Sequence, residues 1–371
     1  MHPKALSKIY RRVRGCAKAS RNCFATRTVT GVAKQVIDDG EPFFWMGGRL
    51  ARDLVEVSRE VSCLDRVGFW AVSSTFEGEI VCARFAKVIE AELPLSEIPW
   101  SPIASGWQSS MDRAAYIQYV DDIRHQISLG WVYQVNACRE LRSDYHGNTI
   151  LPLMKEILQS NPAPYASFLR IPEMEIASAS PELFLQRQNG ILRSGPIKGT
   201  KHLSDPDPNF GEKDRAENVM IVDLIRNDLG RICETGTVHV PQLLQSQLHP
   251  GLSHLVSFIE GKIANGITWP QIAEAVLPPG SVSGAPKSSA VATISRAEPA
   301  PRGPYCGALG WVEGDAALLS VAIRIFWDAR DGAIRFGTGA GITWGSVASD
   351  EWEETELKAR NLMAIAEGRL K

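Results

Sequence analysis

From Val36 onward, alternation and helical spacing divide the chain into recognisable pieces. Residues 68–74 and 79–85 flank Glu77-Gly78 and predict two strands around a tight turn. Residues 93–107, rich in Pro, Ser and Trp and without periodicity, mark a boundary. Tyr116, Val120, Ile123 and Ile127 recur at spacings of four, three and four, predicting a helix capped by Ser110 and ended by Gly130, with a strand at 131–138 after it. A hairpin follows: residues 176–180 enter, 181–187 run along it, Asn189-Gly190 turn it and 191–197 return. Residues 213–231 read as a helix stopped by Gly230, and Glu351 to Lys358 lie in a second helical segment. Residues 279–287 and 337–342 read as Gly-rich turns.

Composition narrows the classes. The 371 residues are 44% hydrophobic and 22% charged, which suits an ample core and argues against disorder, a disulfide scaffold or a collagen-like fibre. A formal charge of -2 calls for no polyanionic partner, so nucleic acid is disfavoured. No window reaches the roughly 18 consecutive apolar residues of a spanning helix, mean hydropathy is -0.11, and no membrane is expected. Residues 1–37 carry nine basic and no acidic side chains, the composition of an organelle transit peptide without the apolar core of a secretory signal. They are read as a disordered leader outside the fold. The seven cysteines are scattered, with no pair at metal-ligand or redox spacing, so a reducing compartment, the cytoplasm, and no zinc site are expected.

Three features carry candidate chemistry. The hairpin brings Glu182 and Lys198 to one open end, and its register decides whether they cooperate. A two-residue loop pairs Glu182 with Ile197 and turns Lys198 to the opposite face; a three-residue loop, or a break at Gly199, lets them share a face. Asp214 and Glu217 lie three apart on one predicted helix, and Glu351 and Glu354 repeat that spacing on another. Such like-charged pairs repel unless a cation sits between them, and oxygen-only ligands suit Mg2+; on spacing alone a solvated acidic face explains them as well. The Gly-rich turns free backbone N–H groups for carboxylate or phosphate, but they match neither a Walker loop nor a dinucleotide fingerprint.

Taken in order, Tyr133-Gln-Val-Asn136, Ser180-Pro-Glu182, Pro196-Ile-Lys-Gly-Thr200, residues 214–231, His254-Leu-Val-Ser257, Gly280-Ser-Val-Ser-Gly-Ala-Pro-Lys287, Arg302-Gly-Pro-Tyr-Cys-Gly307, Ala322-Ile-Arg324, Gly339-Ala-Gly-Ile342 and residues 351–358 resemble the chorismate-utilising enzymes. The resemblance covers residues 112–368, the expected catalytic domain, with 38–105 as an N-terminal subregion lending strands. It implies an α+β fold of two stacked antiparallel β-sheets flanked by helices, and Mg2+ as cofactor. By position Glu217 and Glu354 match the metal ligands, with Asp214 and Glu351 nearby or acting through water. Glu182 matches the general acid for the departing C4 hydroxyl, because hydroxide leaves poorly until protonated. Gln134, Thr200, His254, Ser281, Tyr305, Arg324, Gly339, Gly341 and Lys358 match substrate-binding positions, cations and backbone donors balancing a dianion.

Two positions separate the family's branches. Water-adding members carry Lys where Gln134 stands, and Gln134 cannot deprotonate water. Anthranilate synthases resemble Pro-Ile-Ala-Gly-Thr where this chain has Lys198, and in the C4-aminating branch that lysine attacks C2 before ammonia displaces it at C4. The implied reaction is conversion of chorismate to 4-amino-4-deoxychorismate, on the route to 4-aminobenzoate and folate. The alternatives are amination at C2 with loss of pyruvate, or a non-catalytic relative that binds a glutaminase. No cysteine lies in a glutaminase elbow, so ammonia is expected from a separate glutamine amidotransferase subunit. Ile325 and Trp344 depart from the family pattern around the ring pocket, and the N-terminal part is short.

Overall fold

The alternating segments assemble into a single antiparallel ladder in the computed structural model, which describes residues 40–370 except 95, 97, 203, 204, 206–209, 250 and 251. The basic leader expected at 1–37 lies outside the described residues. The chain opens with β1 (Phe43–Met46), β2 (Arg49–Ser58), β3 (Phe69–Ser74) and β4 (Ile80–Glu90), then after an irregular stretch β5 (Gln108–Ser109), α1 (Arg113–Ser128), β6 (Gln134–Asp144) and α2 (Leu151–Ser160). Five strands follow: β7 (Ser167–Ile171), β8 (Met174–Ser178), β9 (Leu183–Gln188), β10 (Ile191–Gly195) and β11 (Ile197–His202). Next come α3 (Glu212–Gly230), β12 (His239–His249), β13 (Leu252–Lys262), α4 (Trp269–Val276), β14 (Gly284–Ala285) and α5 (Lys287–Ala297). The last part is β15 (Ala308–Glu313), β16 (Ala316–Val321), β17 (Ile325–Asp328), β18 (Ala333–Ile342) and α6 (Ala348–Ala366).

Hydrogen-bonded neighbours run β12, β13, β10, β9, β16, β15, β3, β4, β2, β1, β7, β8, β17, β18, β6. β11 follows β10 along β13, and β5 and β14 add to β6. The fold is therefore α+β and antiparallel, with the expected layers joined through one continuous ladder of 18 strands. Strands β1 and β3, from the N-terminal subregion, pair with β7 and β15. Phe44, Trp70 and Phe85 share one apolar core with Leu185, Ile259 and Leu309. Each large apolar side chain sealed there contributes roughly 1.5–3 kcal/mol relative to its exposed state.

Several local expectations shift. Asp112 rather than Ser110 caps α1, its Oδ1 accepting from the Ala115 N–H at 2.8 Å. Ser110 Oγ instead accepts from the Glu140 N–H, tying the helix entry to β6. Strand β6 starts at Gln134, three residues later than expected. Gly230 ends α3 without a left-handed stop, since the capping Arg231 remains right-handed. The expected turn at 337–342 is strand: it forms the end of β18, paired with β6 from Gly337↔Glu140 to Ile342↔Val135. Its glycines make room for close neighbours instead of freeing N–H groups. A Cβ on Gly337 would stand 2.1 Å from the Tyr305 ring, and one on Gly339 2.5 Å from Cys138 Sγ.

Candidate active site

The hairpin resolves the register question through two irregularities. Near the turn Gln188 pairs with Ile191 and Gln186 with Arg193, so the loop is Asn189-Gly190, both at positive φ (52° and 75°). The pairing then slips by one residue, and Gly195 faces Leu183. Beyond it β11 leaves β9 for β13, with a second irregularity between Ile197 and Thr200 where Gly199 has φ 87°. The slip re-aims the side chains beyond it, because a one-residue shift exchanges faces. Glycine is needed at 199 twice over: for its left-handed backbone, and because a Cβ would come within 2.9 Å of the Phe210 ring and 3.1 Å of Asp214.

Ser281 lies beside both Glu182 and Lys198. It lines the same cavity as Glu182, and its carbonyl accepts from Lys198 Nζ at 3.0 Å. Lys198 is half-buried, with its ε-nitrogen on the Ser281 carbonyl and 3.6 Å from the position a Cβ would take on Gly341. Burial lowers its pKa against the pull of Glu217 and Glu182, favouring the free amine. Glu182 is 4% exposed, and its Oε1 has no hydrogen-bond partner. Burial pushes its carboxyl up to about 7, against the neighbouring Ser281 side chain and the Lys198 charge. A buried carboxyl that holds its proton near neutrality suits a general acid.

Gly341 leaves the space into which these groups point. From the position of a Cβ there, Gln134 Nε2 is 2.6 Å away, Lys198 Nζ 3.6 Å and Glu217 Oε2 3.7 Å. Gln134 is buried, its Nε2 3.5 Å from Glu217 Oε2 and its Oε1 unpartnered. Gly339 supplies its carbonyl to Lys358 Nζ at 3.0 Å. Thr200 and His254, opposite each other on β11 and β13, share a 2.8 Å hydrogen bond through His254 Nδ1. Arg324 sits at φ 54° and, among the described residues, its guanidinium has no hydrogen-bond or ion-pair partner. Tyr305 packs on Gly337, farther along β18, and makes no contact with the Lys198 cluster among the described side-chain hydrogen bonds. Trp344 is 63% exposed, and Ile325 is buried where β17 meets Ser178.

Asp214 and Glu217 project from the first turns of α3, and Glu351 and Glu354 from those of α6, where the helix dipoles favour negative charge. Lys213 Nζ lies 3.3 Å from Glu351 Oε1, and Lys358 Nζ 2.7 Å from Glu354 Oε1. Burial raises the Glu217 pKa, Lys198 and Lys213 opposing, while Glu354 and Asp214 add repulsion. Burial also works against ionised Glu354, but Lys358 and the other lysines outweigh it and lower its pKa. Among the described residues no three His, Cys, Asp or Glu side chains stand close enough to clasp a metal as placed. The donor set nevertheless fits a hard divalent cation: carboxylates only, mutually repelling, with Glu351 Oε2 buried and unpartnered.

A family model described as chorismate binding enzyme matches residues 71–364. The chain belongs to that family. It is 34% identical over 344 residues to aminodeoxychorismate synthase component 1 of Salmonella typhimurium, covering 88% of this chain and 74% of that one. It is equally 34% identical, over 268 residues, to anthranilate synthase component 1 of Saccharolobus solfataricus, covering 70% of this chain and 63% of that one. Anthranilate synthase component I of Streptococcus pneumoniae shares the fold, with a TM-score of 0.70 at 21% identity over 98% of each chain. Relatives under both synthase names are thus equally similar to the chain, at 34% identity each.

Sequence reasoning missed two buried clusters beside the site. Lys287 Nζ pairs with Asp228 Oδ2 at 2.7 Å and donates to the Val276 carbonyl, pinning α5 to α3 and α4. Arg302 pairs with Glu298 at 2.6 Å. Both basic residues stand in the matched blocks, but nothing in those blocks marks a buried ion pair.

Proposed function

We propose that this protein aminates chorismate at C4 with ammonia, giving 4-amino-4-deoxychorismate. The observation that carries this reading is the placement of Lys198, whose ε-nitrogen stands beside Glu217, Gln134 and the open face of Gly341 and donates to Ser281, which lines one cavity with Glu182. Arg324 and Lys358 are the cations available to substrate carboxylates. Glu217 and Glu354, with Asp214 and Glu351 close by, would hold Mg2+, which supplies positive charge to a ring carboxylate. The Lys198 amine forms a bond to C2 as the ring double bond shifts and the C4–O bond breaks. Glu182 gives its proton to the departing hydroxyl, which leaves as water. Ammonia then bonds to C4, the double bond returns, and the C2–N bond breaks with the lysine nitrogen still protonated, so that Lys198 leaves as a neutral amine. The ammonium formed on C4 gives up one proton, which restores Glu182 as an acid.

Gln134 carries a neutral amide with no basic nitrogen to take a proton from water, so hydration at C2 is disfavoured. Ammonia is supplied by a separate glutamine amidotransferase subunit, and a lyase removes pyruvate from the product on the way to 4-aminobenzoate and folate. The reduced state of the five described cysteines, all unpaired and buried, suits the cytoplasm. Among the described residues no helix is long and apolar enough to cross a membrane. The test is mass spectrometry of the product formed from chorismate, Mg2+ and ammonium without a lyase. The reading expects 4-amino-4-deoxychorismate; fluorescent anthranilate would overturn it.

A further inference from the structure

Arg302 is 4% exposed and carries an unusually complete set of contacts. Its Nε and Nη2 grip the two Glu298 oxygens at 2.8 and 2.6 Å. Nη2 also donates to the Asn136 carbonyl at 2.6 Å, and Nη1 to the Val282 carbonyl at 3.0 Å. Glu298 Oε1 in turn accepts from the Cys138 N–H at 3.0 Å and the Tyr119 hydroxyl at 3.3 Å. The fork therefore clasps two chain segments at once. One is β6, whose first residue is Gln134; the other is the 280–285 segment, whose Ser281 carbonyl receives Lys198 Nζ. Between those segments the backbone makes its own links, Asn136 N–H to Ser283 O at 2.9 Å and Tyr133 N–H to Ala285 O at 2.7 Å. They lie to one side of Val282; the Gly280 carbonyl before Ser281 is held within its own turn by Ser283, and the guanidinium reaches the Val282 carbonyl after it.

We propose that Arg302 is a positioning residue for Lys198: by fixing the Val282 and Asn136 carbonyls in one fork, it sets the Ser281 carbonyl that aims the lysine at the substrate. The inference rests on the reading of Lys198 as nucleophile. Planarity and donor number matter here, since lysine can pair with Glu298 but cannot also span two carbonyls in fixed geometry. Small misplacements of a reacting group cost rate far more than binding.

The test is a double-mutant cycle with Arg302→Lys and Lys198→Ala, with kcat and KM measured from chorismate and ammonium. Arg302→Lys in the otherwise native protein should lower kcat about 100-fold while KM for chorismate stays within about threefold. In the Lys198→Ala background the same substitution should change kcat by less than about threefold, because its target is gone. Equal losses in both backgrounds would overturn the positioning role and leave the Lys198 reading intact. A native rate in Lys198→Ala alone would sink both. Because the double variant can fall below detection, amine acetylation read by peptide mass spectrometry gives an independent readout. Lys198 should label several-fold faster relative to Lys262 in Arg302→Lys than in the native protein, and an unchanged ratio counts against the proposal.

Discussion

Replacing Glu182 by Gln should stabilise the protein at neutral and alkaline pH while removing its activity. The carboxyl is 4% exposed with one oxygen unpartnered, and burial lifts its pKa from 4.5 to about 7. A carboxylate raised in the folded state favours the protonated native form. Its contribution is complete below about pH 4.5 and is lost as pH rises through about 7, because the unfolded chain ionises freely while the folded one resists. At 1.36 kcal/mol per unit, the shift corresponds to a loss of about 3 kcal/mol by pH 8.5. Gln keeps the shape and a neutral amide, so it escapes that loss. Urea unfolding of native and Glu182→Gln protein, free of substrate, should show nearly equal stability at pH 4.5. The variant should lead by roughly 2–3 kcal/mol at pH 8.5, an increase in Tm of several degrees. Turnover of chorismate should fall by about 100-fold or more. A gap that does not widen with pH would refute the argument that Glu182 is held protonated by burial.

Gly341→Ala places a methyl 2.6 Å from Gln134 Nε2 and 3.6 Å from Lys198 Nζ. It should cut kcat/KM about 100-fold with little change in urea midpoint, and normal kinetics would mean the substrate does not use this space. Glu217→Gln should raise the Mg2+ concentration needed for half-maximal activity roughly 10–100-fold; an unchanged Mg2+ titration would remove Glu217 from the metal site. Away from the site, Glu175 is fully buried, its Oε1 accepting from Arg170 and from Thr149 Oγ1 at 2.9 Å, its Oε2 from the Ile150 N–H at 2.7 Å. Glu175→Ala removes the carboxylate that Arg170 and Arg330 share and should cost about 3–5 kcal/mol in urea unfolding at unchanged KM; a loss below about 1 kcal/mol would show that the two guanidinium groups do not depend on it.

The sequence displayed the turn and the helices because their signals are local: Asn189-Gly190 needs two positive-φ residues, and the Tyr116 to Ile127 spacing needs one apolar face. It displayed most of the site through ordered blocks, since Glu182, Lys198, Glu217 and Glu354 each stand in one. It did not show how Glu182 and Lys198 come together. That depends on a one-residue slip opposite Leu183 and a second irregularity against β13, and the second partner strand lies more than fifty residues away. The glycines at 337, 339 and 341 resembled a turn because glycine density usually marks one. They sit in a strand because Tyr305, Cys138 and the Lys198 cluster press against their missing side chains. The Arg302 fork was silent because two of its four bonds go to backbone carbonyls, which any residue can supply.

The central claim is that the Lys198 nitrogen bonds to the substrate during turnover. The most direct measurement mixes the protein with chorismate and Mg2+ in the absence of ammonium, quenches with acid and maps the peptides by mass spectrometry. The account predicts a fraction of the Lys198 peptide heavier by chorismate less one water, absent in Glu182→Gln. Rapid conversion on later addition of ammonium, with the Lys198 peptide unmodified at every time point before it, would contradict the account.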